Sequence, residues 1–263
     1  MTDASLPAGR FTERDFRIGQ VFSRAWSVFS GNFLKFMVVT GIAGLPPLLV
    51  PAPAPATPEN PFGGAGLSFF LIMFLTIVLG TLSQAIVLYG AFQDMRGRPV
   101  SLADCLKVGL HRFLPIVGLA LSEGVALMLA TMLFIVPGLM LYMMWFVATP
   151  VCVVEQLGPF RSLGRSRQLT KGHRWKLFGL TLAILIPALI VGAILGAVMF
   201  AISGTGGFLA MTTALATPLG QVVNLIWSAA WGAFYAVMVV VTYHDLRVAK
   251  EGVDTEQIAA VFE

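Results

Sequence analysis

Long apolar runs separated by short polar, basic segments dominate the chain, and six of them reach or approach the roughly 20 residues a helix needs to cross a bilayer's hydrocarbon core. They lie at 33–50, 67–92, 114–136, 139–154, 177–202 and 218–243. Helix is the predicted state because lipid offers no hydrogen-bond partner to an open backbone. The first and fourth runs are the shortest. Only Pro137 and Gly138 separate the third from the fourth, which predicts a tight helical hairpin in place of one helix of 41 residues.

Before each pair of runs the pattern changes to that of a surface helix. Ile18, Val21, Phe22, Ala25 and Phe29 recur at helical spacing with Arg17, Gln20 and Arg24 on the other side, as in an interfacial helix. Ser101 after Pro99 predicts an N-cap for a helix with Leu102, Cys105 and Leu106 on its apolar face and Asp104 and Lys107 in water. The third such segment, 160–171, is the most basic and the least amphipathic. Each leads into the membrane through a similar tetrad: Gly31-Asn32-Phe33-Leu34, His111-Arg112-Phe113-Leu114 and His173-Arg174-Trp175-Lys176. Each second run ends at an acid, Asp94, Glu155 or Asp245.

The predicted fold is therefore all-α: a polytopic membrane protein with six transmembrane helices in three hairpins, each preceded by a cytoplasmic amphipathic helix. One integral membrane domain spans 1–263, with repeat units at about 12–92, 101–154 and 159–243 and a cytoplasmic tail at 244–263 whose residues 254–262 start a fourth surface helix. The units are expected to pack about a pseudo-threefold axis.

Charge fixes the orientation. Lysine and arginine number five up to the start of the first run, counting Lys35 as its third residue, none in the next segment, four in the third, then none, six, none and two, so all 17 fall on one side. By the positive-inside rule that side is cytoplasmic, and six spans place both termini there. Residues 1–33 lack a short apolar core followed by a small-residue cleavage site, so no removable secretory signal is expected. The outer segments, a Pro-Ala tract over 51–58 and a Ser-Gly-Thr-Gly-Gly turn at 203–207, are too short for a folded catalytic module. The inner membrane of a bacterium is the expected location.

Composition narrows the function classes. The chain is 57% hydrophobic and 11% charged, and its +4 balance is too diluted to read as nucleic-acid binding. Cys105 and Cys152 are too few for a disulfide framework. No phosphate loop, zinc-binding His-Glu-x-x-His or Gly-x-Ser-x-Gly elbow is present, and Ser83, Ser122 and Ser228 have no histidine or lysine at membrane depth to activate them. The expectation is no enzyme, no cofactor and no metal. His111, His173 and His244 share the cytoplasmic level but lack the close spacing of a metal site.

The sharpest single residue is Glu123, ten residues into the third run and hence ~15 Å deep. A carboxylate there costs about 3 kcal/mol to insert, so it marks a pathway or proton site, or is protonated and bonded to Gln84, Gln221 or Asn224. The counterpart positions in the other units are Ala43 and Leu185. Arg161, Arg165, Arg167, Lys171, Arg174 and Lys176 form a basic run suited to anionic lipid headgroups, or serve only to set topology. Gly192 with Gly196 and Ser228 with Gly232 are small-residue pairs expected to pack helices closely.

The segment VEQLGPFRSLGRSRQLTKGHRW at 154–175 resembles the glycerophosphoryl diester phosphodiesterase membrane domain family, a broad bacterial group of six-span proteins that includes relatives of the YciC type. The resemblance covers most of the chain. It implies topology and not hydrolysis, because His111-Arg112 lacks the following glycine and the downstream acidic pair of the phosphodiesterase metal site.

Two functional readings follow. In the first, the protein organises or stabilises the membrane through anionic lipid, a protein partner or a second copy of itself. In the second it is a small transporter or lipid-handling protein with a central cavity and Glu123 as its polar site. A third, an accessory subunit of a separate enzyme, follows only from the resemblance. Alkaline phosphatase fused after Pro58 or Thr205 should be active, and fused after Gly97, Gly158 or Glu263 inactive; any reversal refutes the orientation.

Overall fold

The computed structural model describes residues 17–49, 66–203 and 217–251. The Pro-Ala tract, residues 204–207 of the second outer turn and the tail helix expected over 254–262 lie outside them. All regular structure among the described residues is helical: α1 (Ile18–Gly31), α2 (Phe33–Ala43), α3 (Leu67–Met95), α4 (Leu102–His111), α5 (Phe113–Leu133), α6 (Ile135–Trp145), α7 (Ala148–Val154), α8 (Pro159–Thr170), α9 (Arg174–Ser203) and α10 (Pro218–Glu251), with one 3-10 turn, Pro46–Leu49. Five segments are long and apolar enough to cross a membrane: α3, α5, α6 with α7, α9 and α10. The chain is thus a membrane protein. The pair α1 and α2, bent by 82° at Asn32, makes a sixth only if taken as one broken span.

The first run departs from expectation. Helix α2 stops at Ala43, about 16 Å from its start and half a hydrocarbon core in length. Pro46 and Pro47 lack the donors to continue it, and the chain tightens into the 3-10 turn. Close packing also fixes this point, since a side-chain carbon on Gly44 would lie 2.6 Å from Leu225 Cδ1.

The hairpin between the third and fourth runs forms, with its turn three residues earlier than the Pro-Gly pair. Phe134 alone is extended, at φ −158° and ψ 146°. Pro137 lies in the first turn of α6, where a missing N–H costs no helical bond. Gly138 lets the two arms close, because a Cβ there would sit 2.2 Å from Thr131 Oγ1.

The fourth run is broken at Phe146 and Val147. Pro150 explains the break: it cannot donate to the Phe146 carbonyl four residues back, and its ring crowds that carbonyl. Nearby, the Met144 carbonyl accepts two hydroxyl hydrogen bonds from α8, at 3.0 Å from Ser166 Oγ and 3.1 Å from Thr170 Oγ1. This accounts for the weak amphipathicity of α8. Its buried face is a stripe of hydroxyls, Ser162, Ser166 and Thr170, with Leu169.

The other surface helices follow their pattern more closely. Val21, Ala25, Val28 and Phe29 of α1 are buried against α10, and Phe29 stands edge-on to Phe234 at 5.5 Å. Phe22, expected on the apolar face, is 40% exposed but meets the same Phe234 ring at 5.7 Å. Ser101 caps α4, accepting from the Asp104 N–H at 3.4 Å; of its expected apolar face Cys105 is buried while Leu102 and Leu106 are exposed. Helix α4 packs on α3, and α8 on α6 and α7. Each surface helix thus lies on the span that ends just before it or, for α1, on the last.

The acids at the span ends are all engaged. Asp94 accepts from Asn32 Nδ2 at 2.8 Å, Asp245 pairs with Arg24, and Glu155 lies 3.1 Å from Arg165 Nε. Replacing both Ser166 by Ala and Thr170 by Val strips the Met144 carbonyl of both hydroxyls and should destabilise the protein by about 1–3 kcal/mol. Thermal unfolding in detergent should show a lowered midpoint, whereas Ser30→Ala, whose exposed hydroxyl bonds only Ser27 of its own helix, should leave it unchanged.

Candidate functional site

Glu123 lies midway along α5 and is half-buried. It opens on a cleft of about 290 Å³ between α3, α5, α6 and α10, lined also by Thr81, Gln84, Tyr142, Trp145, Phe146, Thr149 and Tyr235. Of the four polar residues expected to meet in the membrane, the structure brings Glu123 and Gln84 to this cleft. Gln221 and Asn224 line neither it nor its neighbour. Depth explains the split. Counting back from the acid that ends each span, Gln84 is ten residues from Asp94 and Asn224 is 21 from Asp245, or ~15 Å against ~32 Å along the helix. Asn224 and Gln221 belong to the far end of α10. Glu123 forms no hydrogen bond or ion pair among the described residues, so the expected partnership with these amides is absent there.

Tyr142 and Tyr235 complete the site and were not foreseen. Their hydroxyl oxygens lie 2.7 Å apart, joining residues 93 positions apart in sequence. Phe146 stands edge-on to both rings, at 5.9 Å from Tyr142 and 6.4 Å from Tyr235. These three residues also line a second cleft, of about 230 Å³, with Thr181, Ile184, Leu185 and Trp231. The tyrosine pair is therefore a shared wall. A signal was present: two of the four tyrosines lie deep in apolar runs, away from the interfaces where aromatic belts collect. The same depth rule places Trp145 and Tyr235 ten residues before Glu155 and Asp245, level with Gln84.

The basic run divides. Arg165 is committed internally, pairing with Glu155 and with Glu251. Burial pushes its guanidinium pKa down, but the bonds to these two carboxylates outweigh that and hold it above the ordinary value. Glu155 also accepts from Tyr243 at 2.9 Å, and Glu251 from Arg247 at 2.8 Å, closing a network across α7, α8 and α10. Arg165 thus leaves the set of expected lipid contacts. Arg161, Arg167, Lys171 and Lys176 are exposed and Arg174 is half-buried.

The remaining candidates are structural. Among the described residues no three His, Cys, Asp or Glu side chains lie together as metal ligands, so His111, His173 and His244 do not converge. His244 Nδ1 lies 3.5 Å from its neighbour Asp245. Both cysteines are free and buried, and burial pushes the Cys105 thiol pKa up. Ser83, Ser122 and Ser228 each donate to a carbonyl of their own helix. A Cβ added at Gly192 or Gly232 would meet nothing within 4 Å, whereas close approaches are made at Gly44, Gly90, Gly109 and Gly138.

The chain matches no family model, no curated protein and no solved structure. Its site is read from its own chemistry. Tyr142→Phe and Tyr235→Phe should each destabilise by about 1 kcal/mol, and the double variant by less than their sum, because each removes the same hydrogen bond. A double-mutant cycle of unfolding free energies that proves additive would show the tyrosine pair to be uncoupled.

Proposed function

We propose that this is a non-enzymatic, six-span protein of a bacterial inner membrane with both termini cytoplasmic, a small transporter or lipid-handling protein that takes up its ligand in the Glu123 cleft. One observation carries the reading: a carboxylate without a hydrogen-bond or ion-pair partner among the described residues faces a cleft of ligand size deep in an apolar helix bundle. Such a group is expensive to keep unless something uses it. The neighbouring Gln84, Thr81, Thr149 and tyrosine hydroxyls offer donors and acceptors that fix a ligand's orientation.

Three units packed about a pseudo-threefold axis fit this placement. The surface helix of each unit rests on the second span of the preceding unit, α4 on α3, α8 on α6 and α7, and α1 on α10. The first cleft then lies where units one, two and three meet, and the second between units two and three. The third position is filled, since α2 packs on both α3 and α10 and Thr40 Oγ1 donates to the Ala229 carbonyl at 3.0 Å. A six-span topology is also what the resemblance at 154–175 implies.

A second reading, a membrane-organising role through the cytoplasmic face, draws on Phe160 and Trp175, 78% and 86% exposed beside Arg161 and Lys176. Native mass spectrometry of the gently extracted protein separates the two. A lipid or small molecule retained at one per chain, and lost in both Glu123→Gln and the cleft-filling Ala120→Trp, is expected from the cleft. A co-purifying protein with no ligand sensitive to either substitution would replace the cleft reading with the second.

A further inference from the structure

The geometry points to an organic ammonium ion as the ligand of the Glu123 cleft. This rests on the reading that the cleft holds a ligand and goes further by naming its charge and shape.

Charge comes first. Among the described residues the lining of the cleft carries one carboxylate and no lysine, arginine or histidine. In a low-dielectric bundle an anionic ligand would face Glu123 with nothing to offset the repulsion, whereas a monovalent cation would neutralise it. Aromatic rings share the lining with it: Tyr142, Trp145, Phe146 and Tyr235 all border the same space. Ring faces attract diffuse cations, and aromatic walls beside one acid are how quaternary ammonium groups are recognised.

Size selects among cations. A bare metal ion needs six or more oxygen ligands close around it, carboxylates above all, and no three His, Cys, Asp or Glu side chains gather here among the described residues. A cleft of about 290 Å³ has room for an ammonium head with an alkyl or aryl substituent. The adjacent cleft is an internal comparison. It shares Tyr142, Phe146 and Tyr235 but among the described residues has no ionisable side chain apart from the two tyrosines, so it offers rings without the carboxylate.

Benzyltrimethylammonium and neopentylbenzene have the same shape and differ only in charge. Titrated calorimetrically into the full-length protein in detergent, the cation should bind one per chain. Its affinity should fall about tenfold or more in Glu123→Gln and severalfold in Trp145→Leu. Neopentylbenzene should bind more weakly and ignore Glu123→Gln. Ala120→Trp should abolish cation binding, and Leu185→Trp, in the other cleft, should spare it. Equal affinities for the two probes, or a cation affinity unchanged by Glu123→Gln in a variant that keeps its thermal midpoint, would overturn the ammonium assignment and leave the cleft reading standing. Heat from sodium chloride alone that depends on Glu123, with no ammonium binding, would also overturn it. The cleft reading itself fails separately, when the native mass spectrum shows no ligand that Ala120→Trp removes.

Discussion

Pro150 denies the Phe146 carbonyl its helical donor, and the span made by α6 and α7 is broken at that point. In lipid, a carbonyl released from a helix must find its partner within the protein. Two residues before Phe146, the Met144 carbonyl at the end of α6 is also partnered from outside its helix, by the Ser166 and Thr170 hydroxyls of α8. Much else depends on that arrangement. Tyr142, Trp145, Phe146 and Thr149, which line the first cleft, all lie within a turn or so of the break. Helix α8 also carries Arg165, which ties α7 to α10 through Glu155 and Glu251. A surface helix that looks too polar to bind anything is thus the one that holds the central spans in register.

The pairs at the ends of the spans have a comparable purpose. An exposed ion pair contributes about 0–1 kcal/mol at most, and Arg24 with Asp245 is of that partly exposed kind. The more extensive network around Arg165 is only partly open to water. Their value lies in position more than in energy. Packing between apolar helices in lipid has little hydrophobic driving force to choose one axial register over another. Polar pairs anchored at the water interface fix that register, and therefore the depth at which Gln84, Tyr142 and Tyr235 meet. Asp94 is held by a neutral amide, Asn32, at the bend where α1 turns into α2.

The apolar spans were legible in the sequence because hydropathy and the need to satisfy the backbone leave few alternatives. Their ends were less so. The hairpin turned at Phe134, since proline is tolerated in the first turn of a helix as readily as before it. The face of α8 was missed because amphipathicity was sought in apolar residues, while Ser162, Ser166 and Thr170 recur every four positions as small hydroxyls. Glu123 and Gln84 were found by chemistry alone. Gln221 and Asn224 were grouped with them by type, although a count of residues from Asp245 already separates them by three turns or more from Tyr235. The Tyr142–Tyr235 contact is a matter of how two distant helices rotate and slide against each other, which no local pattern encodes.

The two clefts differ in what walls them. The first is bounded by α3 and α5, both held by several neighbours, and its acid stands in the middle of α5. The second is bounded by α9, whose principal contacts are with α6 and α1 and whose outer half, from Leu185 to Val198, is mostly exposed beyond the protein's own surface. Among the described residues α9 therefore packs on the rest of the chain mainly through its first half. The tyrosine pair stands between an acidic compartment and an apolar one walled by this helix. A single hydrogen bond contributes about 1 kcal/mol, so the Tyr142–Tyr235 pair is a partition held by geometry more than by energy, and it stands beside a carboxylate with no hydrogen-bond or ion-pair partner among the described residues.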